Sequence, residues 1–161
     1  EREIQEKASR EQQEKLPEGC RKILEEGNEC IRYIRKCNDD IPGEEMSQKL
    51  SRLELIITRI FEEVGKNPEL AGELRKFMNY YLPTTRKLVD AYRELDQETI
   101  ISENMAKTKK EIEDTLDTIN EAFENLLDSF FEERAMDISS DISVLQTMLA
   151  QEGLTGKDFR R

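Results

Sequence analysis

The sequence predicts an all-α fold, an antiparallel bundle of about four or five long helices with one of them kinked at Pro83. Three observations carry that expectation. Apolar residues recur in alternating steps of three and four through most of the chain. The composition is rich in Glu, Lys, Leu and Ile, with 36% hydrophobic and 38% charged residues and no Trp. Such a mix suits amphipathic helices better than a sandwich or barrel. No alternating apolar–polar run, Asn-Gly hairpin or internal repeat competes.

Each element follows in order. Residues 1–15 offer only Ile4 and Ala8 as apolar anchors, so 1–16 is expected to be a charged linker or frayed helix. Pro17 suits the first position of a helix running to about Asn38. Cys20, Leu24, Ile31 and Ile34 mark one face of it, with Ile23, Cys30 and Cys37 beside them. Gly27 weakens its middle by about 1 kcal/mol relative to Ala. The segment from Asn38 to Gly43 reads as a turn. A second helix, Glu44 to Gly65, carries a seven-residue seam of Met46, Leu50, Leu53, Ile57, Ile60 and Val64. Gly65 as C-cap, Asn67 as N-cap and Pro68 at the first helical position stop it and start the third.

The third helix takes its rhythm from Leu70, Leu74, Phe77, Tyr81, Leu88 and Leu95, with Thr84 in the one slot lacking a large apolar residue. Met78, Leu82, Val89 and Tyr92 widen the stripe. On that reading the register passes through Pro83 unbroken, which indicates a kink where a loop would reset the phase. The proline removes one helical hydrogen bond and costs about 3 kcal/mol, and the hydroxyls of Thr84 and Thr85 are placed to bond nearby carbonyls. The other reading of the kink is a concave polar site lined by Asn79, Tyr80, Thr84, Thr85 and Arg86. Ser102 is the expected N-cap of a fourth helix reaching about Arg134, marked by Met105, Ile112, Leu116, Ile119, Phe123, Leu126 and Phe130. Asp137 is expected to cap a fifth, marked by Ile138, Ile142, Leu145 and Leu149. Gly153 and Leu154 give a left-handed stop. The bundle domain is thus 17–154 and the polar tail 155–161.

The 161-residue chain carries a net charge of -11, which argues against nucleic acid as a partner. From Glu111 to Asp141 eleven carboxylates face only Arg134, so ten of the eleven surplus charges lie there. Asp114, Asp117, Glu121, Glu124 and Asp128 recur in steps of three and four as one acidic stripe. A stripe of this kind is either a solvated face or a dock for a basic helix or tail, with a divalent-cation surface as a third reading.

The catalytic inventory is thin. The chain has no His, which excludes Ser–His and Cys–His nucleophile pairs and the Glu-x-x-His ligands of di-iron bundles. No phosphate-binding glycine loop or nucleophile-elbow motif is present. Cys20, Cys30 and Cys37 lack CxxC spacing and read as buried or half-buried thiols of a reducing compartment. No catalytic, cofactor or metal residue is assigned. No run of about 18 apolar residues spans a membrane. The chain opens on Glu1, which reads as a fragment.

The stretches KFMNYYLPTTRKLVDAY and IEDTLDTINEAFENLLDSFFEERAMDISSDISVLQTMLAQEGL, from Phe77 to about Leu154, resemble the bacterial XpaC-like proteins, named for hydrolysis of 5-bromo-4-chloroindolyl phosphate. The YYLPTT element and the spaced DIS, DI and VLQ elements are the specific part. The resemblance implies membrane-spanning segments outside this chain, a helical domain at the cytoplasmic face, and association with toxic-anion-resistance (TelA-like) helical proteins. It carries over no catalytic residue. The expected function is a non-enzymatic helical module that binds another helical protein through the acidic stripe. The alternative is a phosphoesterase for aryl phosphates, using Asp137 or Asp141 with Thr84 or Arg86. Apolar seams also allow a homo-oligomer.

Overall fold

Cys20, Leu24, Cys30, Ile31, Ile34 and Cys37 fall on one face of α1 (Glu18–Asp39), and all six are buried. The computed structural model describes residues 17–156. The linker expected over 1–16 and most of the tail expected over 155–161 lie outside the described residues. Helix α1 packs along α2 (Glu44–Lys66). They come close at Gly27, where an added Cβ would stand 2.5 Å from the Phe61 ring. Gly27 is therefore a contact surface as well as a weak point in the helix. Between the two helices the amides of Asp40 and Ile41 donate to the carbonyls of Cys37 and Asn38, and Ile41 is buried.

The seam of α2 is the firmest part of the core. Met46, Leu50, Leu53, Ile57, Ile60 and Val64 are all buried, the last five completely. The helix does not stop at a left-handed Gly65. It continues to Lys66, and Asn67 follows with φ of -136°; among the described residues only Gly153 and Gly156 have positive φ. Asn67 does precede the next helical run, but its side chain makes no cap hydrogen bond.

From Pro68 to Asp96 the chain stays helical while its pitch changes. Pro68–Leu74 is a 3₁₀ helix, Phe77–Tyr81 is a π turn, and α3 (Leu82–Asp96) is regular. The π turn overturns the expectation that the register passes Pro83 unchanged. A π turn closes from residue i to i+5, here through the Leu82 amide onto the Phe77 carbonyl. It inserts one residue into the phase. Phe77 and Leu82, five apart, are both buried, whereas Tyr81 is 54% exposed. Downstream the buried residues are Leu82, Thr85, Val89 and Tyr92 instead of Tyr81, Thr84, Leu88 and Leu95. Pro83 sits in the first turn of α3, where its missing N–H is tolerated. The Thr85 hydroxyl donates to the Tyr81 carbonyl at 2.7 Å.

Helix α4 (Glu103–Ser129) opens where expected, with the Ser102 hydroxyl accepting from the Met105 amide at 3.2 Å. Ile112, Leu116 and Phe123 are buried, and the Phe77 ring meets Phe123 edge-on at 4.9 Å and Phe61 at 6.0 Å. The helix ends earlier than Arg134. Phe130 and Phe131 form a turn, and α5 runs Glu132–Gln151, so Asp137 lies inside it and does not cap it. No Gly or Pro marks that break, and for this reason the sequence pattern runs through it. The end of α5 is as expected: Gly153 has φ of 72° and the Leu154 amide donates to the Leu149 carbonyl at 3.0 Å.

The chain divides into two compact units, Glu1–Leu127 and Asp128–Arg161. The first holds α1, α2, the mixed-pitch segment, α3 and most of α4. The second holds α5. Among the described residues there is no strand, and no helix is long and apolar enough to cross a membrane.

Candidate docking surfaces

The acidic stripe of α4 is met by cations that the sequence pattern did not reveal. Lys49 and Arg52, one turn apart on the polar side of α2, reach across to it. The Lys49 ammonium bonds the Asp117 carboxylate at 3.0 Å and the Glu113 carbonyl at 3.1 Å, and Arg52 pairs with Glu124 at 2.5 Å. Within α4 itself Lys110 reaches Asp114 at 3.3 Å. Three of the five stripe carboxylates are therefore paired. Glu121 has no cation within 4 Å among the described residues, and Asp128 is exposed and belongs to the second unit.

Between α2 and α4 runs an open groove of about 750 Å³, lined by Asp117, Glu121 and Glu124 on one side and by Glu45, Lys49, Arg52 and Leu55 on the other. Asn120 also lines it and is 4% exposed. Its amide donates to the Lys49 carbonyl at 3.1 Å, while its own Oδ1 has no hydrogen-bond partner. Sequence reasoning missed both Asn120 and Leu55. Asn120 was the findable one, because it stands in phase between Leu116 and Phe123, a polar residue on an apolar stripe. Leu55 lies off the α2 seam and gives no comparable signal.

The residues grouped at the kink go separate ways. Asn79 lines a smaller groove of about 350 Å³ with Met78 and residues of α1. Tyr80, Pro83 and Thr84 are exposed, and Thr85 is buried against its own helix. Arg86 turns onto the Tyr33 ring at 4.2 Å and lies 3.7 Å from Glu29. A polar cluster forms there instead. The Tyr33 hydroxyl donates to Asp90, and Arg93 bonds Asp90 at 3.0 Å and lies 3.6 Å from Asp40. The bond to Asp90, aided by burial, pushes the Tyr33 phenol up to about 12. Burial pushes the Cys30 thiol up to about 11 and raises Cys20 and Cys37 as well. All three cysteines are free and buried, so none has the depressed pKa of an activated nucleophile. Among the described residues no group of three or more Cys, Asp or Glu is placed to hold a metal ion.

The second unit offers a different surface. In α5, Ile138, Ile142 and Leu145 follow the expected steps of four and three, yet they are 55%, 50% and 56% exposed. Met136, Val144 and Met148 are exposed too. The residues that mark α5 in the sequence are thus exposed along one face of the helix. Asp137 and Asp141, one turn apart, border the stripe along one edge.

No curated protein and no solved structure matches the chain. A family model does, and it extends well to the N-terminal side of the Phe77–Leu154 portion that carries the sequence resemblance, while stopping short of its last residues. It covers residues 2–145, most of the chain. The chain belongs to the family described as 5-bromo-4-chloroindolyl phosphate hydrolysis protein.

Proposed function

We propose that this chain is a non-enzymatic protein-interaction module that binds another helical protein. The observation that carries the proposal is the apolar stripe of α5, with Ile138, Ile142, Leu145 and Met148 open to solvent. A contiguous exposed apolar patch is costly in water and marks a contact surface. An amphipathic helix binds such a stripe through its own apolar face. The acidic border of Asp137 and Asp141 favours a partner with a basic edge and steers its approach. The resemblance to XpaC-like proteins supports a TelA-like helical partner and a position beside the membrane, held by segments outside this chain.

The test is co-purification of a TelA-like protein expressed together with the full chain. The double variant Ile142→Lys and Leu145→Lys places charge on an already exposed face, so the fold is retained and circular dichroism checks it. Capture is expected to fall at least tenfold. Capture equal to wild type removes α5 from the account.

The family description favours a second reading, a phosphoesterase acting on aryl phosphates. Asp137 or Asp141 is the candidate nucleophile for it. Saturable turnover of 5-bromo-4-chloroindolyl phosphate by purified chain with Mg²⁺ or Mn²⁺, lost on Asp137→Asn or Asp141→Asn, would establish that reading in place of the first.

A further inference from the structure

Helix α5 is 20 residues long, and none of its described residues is buried. Helices in proteins draw most of their stability from packing an apolar face, and this one has such a face. Ile138, Ile142 and Leu145 are half exposed or more, and Leu149 completes the row. The row has steps of four, three and four, so it reads the same from either end. Its midpoint lies between Ser143 and Val144. About that point, a second copy running the opposite way sets Ile138 against Leu149 and Ile142 against Leu145. Each layer of the pair then holds one Ile and one Leu. Charge selects the same direction. The first half of α5 carries its acids, Glu132, Asp137 and Asp141 among them, against Arg134 alone, whereas Ile142 to Gln151 has no charged residue. A parallel pair brings the acids of both copies to one level, where like charges repel. An antiparallel pair lays the acidic half of each helix beside the neutral half of the other. Asp141 then comes level with the uncharged Gln146 of the second copy.

We infer that α5 pairs antiparallel with α5 of a second copy of this chain, through the row from Ile138 to Leu149. Such a pair is isologous: the same row serves both copies, and the two-fold axis passes through its midpoint. Apolar residues at this spacing pack as knobs into holes. The inference rests on the reading of the α5 stripe as a docking face, and it names what covers that face in the free chain. One helix face per copy stands at the low end of interface size, so the pair depends on concentration and opens on dilution. It brings no cation to Asp137 or Asp141, so a partner helix with a basic edge competes with it on better terms.

Sedimentation equilibrium of the full chain over a hundredfold range of concentration reads the pair. A dimer fraction that rises with concentration is expected. Ile142→Lys with Leu145→Lys sets lysines against one another across the row and should weaken dimerisation at least tenfold. Nitroxides on Ser143→Cys or Gln151→Cys, both exposed positions, fix the direction by dipolar spectroscopy without disturbing the row. Antiparallel helices hold the Ser143 labels nearly level and part the Gln151 labels by about 22 Å along the axis. The inference is overturned if the chain stays monomeric, if the lysine variant dimerises as well as wild type, or if both labels report one separation. Failure of the partner reading looks different. A monomer that captures the TelA-like protein through Ile142 and Leu145 contradicts only the pair, and an α5 dimer that captures none contradicts only the TelA-like partner.

Discussion

Gly27 shows how a single residue carries two opposing effects. Relative to Ala it weakens α1 by about 1 kcal/mol. In the structure its missing Cβ is what lets the Phe61 ring sit where a Cβ would be 2.5 Å away. Overpacking a tight contact costs about 1–3 kcal/mol, so Gly27→Ala is expected to destabilise the fold in urea denaturation despite the better propensity. Gly65 is the control: it lies inside α2 with nothing within 4 Å of an added Cβ. Gly65→Ala is expected to stabilise by about 0.5–1 kcal/mol. A buried thiol, Cys30, and a part-buried phenol, Tyr33, add a pH dependence. The Cys30 thiol, raised from 9.0 to about 11, and the Tyr33 phenol, raised from 10.0 to about 12, stay protonated in the folded chain after their unfolded counterparts ionise. Their protonated forms are bound more tightly by the native state, so stability is complete below about pH 9 and falls as pH rises toward 12. Urea midpoints should hold level up to about pH 9 and decline from there toward pH 11. At pH 8 the three thiols should resist a disulfide reagent until the chain unfolds.

At the scale of elements, what the sequence made legible and what it hid separate cleanly. The α2 seam, the Ser102 cap and the Gly153 stop were readable because each rests on local chemistry: a buried row at fixed spacing, a hydroxyl on an amide, a left-handed glycine. The π turn was not readable, because Phe77, Tyr81 and Leu82 are apolar enough to satisfy either phase. Only packing against neighbouring helices selects Leu82 over Tyr81. The distinction is measurable. Leu82→Ala should cost about 2–5 kcal/mol as a core truncation, while Tyr81→Ala, at an exposed position, should fall within about 0.5 kcal/mol of wild type. The reverse order would restore the unbroken register. The fate of α5 was equally hidden, since a stripe of Ile138, Ile142, Leu145 and Leu149 has the same spacing whether it faces a core or solvent. Of the surfaces, Asp117, Glu121 and Glu124 were legible as part of a stripe, but Lys49 and Arg52 were not, because their partners lie more than sixty positions away.

At the scale of the whole molecule, charge and apolar surface are distributed unequally. The first unit buries its apolar seams and offers an acidic groove, while the second presents an open apolar helix. That helix is the face proposed above to meet a partner. Amide hydrogen exchange of the full chain, with and without a saturating TelA-like protein, tests this most directly. Slowed exchange concentrated over residues 136–149 on addition of the partner is the predicted result. Unchanged exchange across those residues, with protection confined to other parts of the chain or absent, would contradict it.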